Sequence, residues 1–170
     1  MFTRGPLRFA LLLACAALFI WLTSYSLPDT VASHFEADGF ANGFMRRAMY
    51  IRFTLAFAIG LPVLLGAVSY FAFGASNARI NLPNREYWLA PERRDETVSY
   101  LRAHMARFNS VLVAFLCYVH WLVVRANQVQ PPHMSTPAML TALAAFAVYA
   151  IFWTRFFLRR FRNAPPGQPG

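Results

Sequence analysis

Four long apolar runs dominate the pattern of hydrophobic and polar positions. Residues 9–28, 53–78 and 108–124 contain no charged residue, and a fourth run covers 137–154 and continues toward Leu158. A helix needs about 20 mostly apolar residues to cross the ~30 Å core of a bilayer, with about 17 as a lower limit. The pattern therefore predicts an all-α membrane domain at 1–163, a four-helix bundle. A proline- and glycine-rich tail at 164–170 is predicted to be disordered.

Composition and charge agree with a membrane protein. Apolar and aromatic residues make up 58% of the chain and charged residues 14%, whereas a soluble domain carries about a quarter charged residues. All 16 basic residues are arginine, and the net charge is +9. Because the arginines flank the apolar runs, they suit lipid headgroups and argue against nucleic-acid binding. The expected partners are the lipid bilayer and a membrane or cytoplasmic protein, and the oligomeric state stays open.

The arginines outside the runs also predict an orientation. Twelve lie at the two termini and in the 79–107 segment, and four lie on the other side of the bundle: Arg46, Arg47, Arg52 and Arg125. The positive-inside rule then places both termini in the cytoplasm, across a bacterial inner (plasma) membrane. A cleaved signal peptide is the competing interpretation of the first run, but the run continues well past Cys15, which favours a retained span.

Two runs carry features that bear on helix packing. Ala56 and Gly60 are four residues apart and precede Pro62, which predicts a close helix contact and a kink in the second span. A hinge at Pro62 is the functional alternative to a merely tolerated membrane proline. In the fourth run, alanines at positions 138, 142 and 145 predict a smooth packing stripe.

Residues 29–50, between the first two runs, form a segment longer than a simple turn. His34, Glu36 and Asp38 alternate, so an extended chain would direct them to one face, where they could bind a divalent cation or share a proton. Ordinary solvated side chains are the alternative, since no recognised ligand motif is present. Glycines follow Asp38 and Asn42, and both pairs predict turns in an ordered outer loop.

The segment between the second and third runs predicts a turn and then a helix. Residues 82–84 have turn chemistry, and Tyr87 and Trp88 suit the headgroup level. From Pro91 onward an apolar stripe with flanking arginines predicts an amphipathic cytoplasmic helix that lies on the membrane before the third span. A recognition surface for a cytoplasmic partner is the alternative.

Within the third run, Cys117 and His120 share a helix face and with Cys15 could hold a soft metal. A hydrogen bond between helices is the alternative role for His120. The chain has no nucleophile elbow, phosphate-binding loop, HExxH or CxxC motif. We therefore expect a non-enzymatic protein with no cofactor or metal. A transporter subunit or metal-dependent intramembrane enzyme around Pro62, Cys117 and His120 is the alternative.

The two loop segments resemble signatures of one known family. The first signature is a proline after a span, a His-Phe pair, a glycine and an Asn-Gly-aromatic sequence, here Pro28, His34, Phe35, Asp38, Gly39, Asn42, Gly43 and Phe44. The second is represented by Asn81, Pro83, Asn84, Tyr87, Trp88, Pro91 and Glu92. Both resemble a bacterial membrane-domain family of unknown function that includes the SdpI-like immunity proteins. Glu36 stands where asparagine is common in that family, and the immunity proteins have more than four spans.

The resemblance implies a role in binding or sensing. SdpI-like proteins protect Gram-positive cells from a secreted toxic peptide and can hold a repressor at the membrane. We accordingly expect this chain to bind or sense a ligand or peptide through the outer loop around His34, Asp38 and Asn42. The second signature would anchor that loop or face a partner.

Overall fold

The computed structural model describes residues 4–74 and 80–163. Helix α1 (Arg4–Thr23) ends in a 3-10 turn (Ser24–Ser26), and strands β1 (Thr30–Phe35) and β2 (Ala41–Arg46) follow. The next segment comprises α2 (Arg47–Leu55), a π turn (Ala56–Gly60) and α3 (Leu61–Gly74). The chain continues through the short α4 (Arg85–Trp88) to α5 (Arg94–Ala126) and α6 (Thr136–Arg162). We call the end of the bundle that carries the strands the hairpin end, and the opposite end the loop end.

Four helices within the described ranges are long and apolar enough to cross a membrane, which confirms the number of spans. They cover Pro6–Ser26, Arg47–Gly74, Arg94–Ala126 and Thr136–Arg162. The third and fourth exceed the predicted runs because a helix can continue beyond the hydrocarbon, where charged side chains are solvated. At ~1.5 Å per residue, α5 is about 50 Å long, against ~30 Å of bilayer core. Residues 75–78 of the second run and the predicted tail at 164–170 lie outside the described residues.

The segment of the predicted amphipathic helix is the first part of α5 and is continuous with the third span. α5 runs without a break from Arg94 to Ala126, and no glycine or proline interrupts its hydrogen bonds in between. Residues 94–107 therefore continue the axis of the third span toward the loop end. Pro91 lies in the turn that precedes the helix.

Helix α5 is the centre of the bundle and contacts α1, α3 and α6. Its contact with α6 is aromatic, through Phe108, Phe115, Phe146, Tyr149 and Trp153. The predicted alanine stripe takes part only partly: Ala138 packs against the apolar cluster that includes Val123 of α5, Ala142 is half-buried, and Ala145 is exposed. Aromatic rings bury more area than alanine and so determine which face of α6 packs.

The second span is irregular where its sequence predicted a kink. Pro62 has no backbone N–H, and immediately before it the helix widens into the π turn, in which Leu61 N donates to Ala56 O. Asn109 Nδ2, on α5, donates to Pro62 O at 3.2 Å. The predicted close contact at Ala56 and Gly60 is not formed, because both are exposed and a Cβ added at Gly60 would meet nothing within 4 Å.

Strands β1 and β2 form an antiparallel hairpin, so the all-α assignment requires a correction in the loop after the first span. The register pairs Thr30 with Arg46 and Ala32 with Phe44, and it shifts on both sides of His34. An ion pair between Arg47 and Asp29, at 3.0 Å, lies at the base. The turn of the hairpin, at residues 36–40, is the end farthest from this base.

Candidate functional site

An amide side chain bonds the first strand of the hairpin to the end of α5. Asn127, one residue beyond α5, accepts a hydrogen bond from Ala32 N at 2.8 Å and donates to Ala32 O at 2.9 Å. It also donates to Val123 O at 2.9 Å and is only 7% exposed. The amide therefore pairs with β1 as one peptide unit of a neighbouring strand would.

The turn of the hairpin is fixed separately, to the loop between α5 and α6. Met134 N donates to Gly39 O at 2.8 Å, His133 Nε2 donates to Asp38 O at 3.0 Å, and Thr136 Oγ1 donates to Ala37 O at 3.2 Å. These bonds extend along three consecutive residues of the turn. The hairpin is thus held at both ends, over the start of α6.

Two glycines of the first signature occupy positions that exclude a side chain. Gly39 has φ +95° and lies in the predicted turn, where an added Cβ would collide with the Met134 carbonyl oxygen. Gly43 lies inside β2 and not in a turn, so that prediction was wrong. It pairs with His34, and an added Cβ would lie 2.8 Å from His34 Cβ. Gly43 is therefore needed for close cross-strand contact.

The fixed hairpin, α5 and α6 enclose an open groove of about 350 Å³. One wall consists of residues 33–37, which include His34, Phe35 and Glu36 of β1 and the turn. The other walls are mostly apolar and come from the ends of two spans and the loop that joins them, namely Val119, Val123, Met134, Thr136, Met139 and Leu140. An apolar cleft with a few polar groups at its rim is typical of a small-ligand or peptide site.

The predicted row of three metal-binding side chains is not formed. His34 and Glu36 line the groove, but Asp38 lies in the turn beyond it and accepts from Phe40 N at 3.0 Å. The alternation fails because β1 ends at Phe35 and its register shifts at His34. Asn42 Nδ2 donates to Glu36 Oε1 at 2.9 Å, so Asn42 fixes the carboxylate at the rim. Within 4–74 and 80–163, no three His, Cys, Asp or Glu side chains group as metal ligands would.

His120 joins three spans near the hairpin end and is 2% exposed. Its Nε2 lies 2.8 Å from Thr23 Oγ1, and its Nδ1 lies 2.9 Å from Tyr50 Oη. Because the Thr23 hydroxyl donates to Phe19 O at 2.7 Å, it accepts from Nε2–H, and Tyr50 donates to Nδ1. Both ring nitrogens are occupied, so His120 forms the interhelical hydrogen bonds that were one of its two predicted roles.

The alternative site around Pro62, Cys117 and His120 is not assembled. Pro62 contacts Asn109, which lies 11 positions before His120 on α5, or about 16 Å along the helix axis. Cys15 is exposed on α1 and Cys117 is half-buried. The three residues of this hypothesis therefore do not face one polar cavity.

The second signature lies at the loop end, where it holds the last turn of α6. Asn84 Nδ2 donates to Phe161 O and Arg162 O, each at 3.0 Å, and Trp88 Nε1 donates to Phe161 O at 3.0 Å. Carbonyls in the last turn of a helix have no intrahelical partner, and Asn84 and Trp88 supply the missing donors. We call these two side chains and their three hydrogen bonds the α6 clamp. Asn84 adopts a left-handed conformation, φ 52°, at the predicted turn.

Aromatic and charged contacts surround the α6 clamp. The guanidinium of Arg160 lies 4.2 Å from the ring centre of Tyr100 and 3.3 Å from Glu96, and that of Arg93 lies 4.2 Å from the ring centre of Tyr87. Four members of the second signature have less contact with the fold: Pro83 is half-buried in the turn, and Asn81, Pro91 and Glu92 are exposed. The two signatures thus form no common site: the first bonds to the loop before α6, and the second bonds to the last turn of α6.

Sequence reasoning missed the residues that complete the groove. Asn127 is the first polar residue after Ala126, and its amide was a detectable signal, but its partner Ala32 is 95 positions away. Val119, Met139 and Leu140 resemble any other apolar span residues, and only the fold shows that they line the groove. No protein-family model, curated protein or solved structure matches this chain.

Proposed function

We propose that this chain is a non-enzymatic membrane protein that binds an apolar ligand, foremost a peptide segment, in the groove at the hairpin end. The observation that carries the proposal is the groove itself, with its wall of residues 33–37 and its floor of span residues such as Val119 and Leu140. A preformed apolar cleft favours binding because no ordering of its walls is needed when the ligand arrives.

The first signature supports this proposal through its positions. His34 and Phe35 line the groove, Gly39 and Gly43 permit the close contacts that shape the hairpin, and Asn42 fixes Glu36. The resemblance of these residues to SdpI-like immunity proteins, which protect cells from a secreted toxic peptide, favours a peptide ligand. In this proposal the α6 clamp anchors the helix whose other end forms part of the groove.

We also infer the orientation that this role requires. The hairpin end carries few arginines, and the loop end carries Arg85, Arg159 and Arg162, all exposed. The positive-inside rule then favours a groove on the outer face of a bacterial plasma membrane, with both termini in the cytoplasm. An external ligand would reach the groove without crossing the bilayer.

The groove can be tested by filling it. Val119→Phe places a larger side chain in the floor, so we expect a fluorescent apolar hexapeptide to bind at least about fivefold more weakly, since overpacking costs roughly 1–3 kcal/mol. Fluorescence polarisation with purified protein in neutral nanodiscs measures the affinity. Ala114→Phe is the matched control, because Ala114 lies on the same helix but is exposed.

The two variants separate a groove from nonspecific partition. If Ala114→Phe weakens peptide binding as much as Val119→Phe does, the groove is not the binding site. If wild-type protein gives no saturable binding of the peptide, the proposed function is wrong.

A further inference from the structure

Charge is distributed unevenly along the hairpin. The arginines of this end lie at the base, where Arg47 pairs with Asp29, and at the end of α5, where Arg125 bonds to Gln128. The opposite part, which borders the groove, carries Glu36 and Asp38. Within the described ranges, no cationic side chain lies at ion-pair distance from either carboxylate. The groove rim is therefore anionic in a chain of net charge +9.

Glu36 is the carboxylate that borders the groove directly. Its Oε1 accepts from Asn42 Nδ2 at 2.9 Å, a neutral donor that orients the side chain without cancelling its charge. Beyond it the floor is apolar, with Val119, Met139 and Leu140. The site thus presents one oriented negative charge next to an apolar surface.

We propose that the natural ligand is a peptide in which a cationic group, an ammonium or a guanidinium, adjoins an apolar segment. The cation pairs with Glu36, and the apolar segment lies against Val119 and Leu140. This inference rests on the proposed function and adds the chemical class of the ligand. Charge complementarity carries it, because an anionic rim attracts cations and repels anionic peptides.

The wall opposite the spans favours a peptide over a lipid as the source of this cation. Residues 33–37 are consecutive and line the groove as a piece of strand and turn, and the second edge of β1 has no strand partner among the described residues. A peptide can match backbone donors and acceptors, whereas an acyl chain cannot. A lipid with an ammonium headgroup is the competing occupant that the experiment must separate.

The test compares two fluorescent hexapeptides with acetylated N-termini and amidated C-termini, in which positions two to six are leucine or valine. One carries a lysine at its first position, and the other carries norleucine there. With wild-type protein in neutral nanodiscs, we expect the lysine peptide to bind about fivefold more tightly, the upper range for an exposed ion pair. Raising the salt from about 0.05 to 0.5 M should reduce this preference, because salt screens exposed charges.

Glu36→Gln keeps the acceptor for Asn42 but removes the charge. We expect the lysine and norleucine peptides then to bind with about equal affinity, because the affinity for the norleucine peptide is unchanged and the ion pair is lost. Glu86→Gln, an exposed carboxylate at the loop end, is the matched control and should keep the full preference. Glu36→Lys should reverse the selection toward a peptide that begins with aspartate, which tests the site even if one variant folds poorly.

Each outcome has a defined meaning. An undiminished lysine preference in Glu36→Gln, or equal binding of both peptides to wild type, overturns the inference. The proposed function then survives if Val119→Phe still weakens binding. If neither peptide binds but a fluorescent phosphatidylethanolamine does so saturably, the occupant is a lipid, and both the inference and the proposed peptide role are wrong.

Discussion

Two glycines show how differently the same residue acts at two sites. Gly43 pairs with His34 across the hairpin, and an added Cβ would lie 2.8 Å from His34 Cβ, closer than real Cβ contacts allow. Gly60 lies in the π turn, where an added Cβ would meet nothing within 4 Å. Glycine is therefore required at position 43 because of a neighbour across the hairpin. At position 60 there is room for a side chain, so glycine is not required on steric grounds.

Gly43→Ala should displace β2 and destabilise the protein by about 1–3 kcal/mol, because overpacking forces backbone shifts. Thermal unfolding in detergent measures this as a lower midpoint, and the groove should bind the apolar hexapeptide more weakly. Gly60→Ala is the control and should be neutral or stabilising, since alanine favours a helix by up to about 1 kcal/mol.

A second-site change distinguishes steric conflict from a general loss of stability. In His34→Gly combined with Gly43→Ala, the Cβ that collides is absent, so the unfolding midpoint should recover toward that of His34→Gly alone. A double variant that is additively less stable would mean that Gly43 serves another purpose than contact with His34.

Among the larger elements, the spans were predictable and the groove was not. Hydropathy located four helices because each must bury its own backbone hydrogen bonds within lipid, a constraint local to the run. The groove depends on contacts between segments about 95 positions apart, such as Asn127 with Ala32 and Thr136 with Ala37. No local pattern encodes these pairs, so the loop was described only as ordered, without its strands.

The same reasoning explains why Gly43 lies in a strand and not in a turn, and why α5 begins well before the third apolar run. A glycine after asparagine favours a turn locally, but cross-strand pairing with His34 places Gly43 within β2. The third apolar run begins at residue 108, but α5 begins at Arg94. Polar residues end a hydrophobic run, but they do not end a helix. α5 continues from Arg94 to Ala126 because no glycine or proline interrupts it.

The α6 clamp makes a prediction about one element. Asn84→Gly keeps the left-handed turn but removes the two hydrogen bonds that the Asn84 amide donates to the last turn of α6. We expect faster amide hydrogen exchange in residues 157–162 and little change in 138–150, because helix termini open locally. Loss of two hydrogen bonds, each worth about 0.5–1.5 kcal/mol, should raise the local exchange rate about fivefold or more.

Asn81→Gly is the matched control, because Asn81 belongs to the same segment but is exposed. It should leave exchange at the end of α6 unchanged. Trp88→Phe should give an intermediate effect, since the ring still packs against Phe161 while the indole N–H bond is lost. Unchanged exchange in both Asn84→Gly and Trp88→Phe would show that the clamp contributes nothing to α6.

For the whole molecule, helix length and arginine placement favour the orientation that we propose. α5 is about 20 Å longer than the hydrocarbon core, so with its hairpin end at one surface, its first turns must project beyond the other. Ser99 is 27 residues before Ala126, or about 40 Å along the axis, and is exposed. It should therefore lie in water on the loop side, while the exposed Gln128 lies in water on the hairpin side.

Cysteine labelling tests this arrangement directly. In a background with Cys15→Ala and Cys117→Ala, we expect Gln128→Cys to react with a membrane-impermeant maleimide in bacterial cells whose outer face is accessible. Ser99→Cys should react only after the inner membrane is permeabilised, because the positive-inside rule favours a cytoplasmic position for the arginine-rich loop end. Reaction of both positions in intact cells would contradict the four-span arrangement, whereas the reverse pattern would place the groove inside the cell and exclude an external peptide ligand.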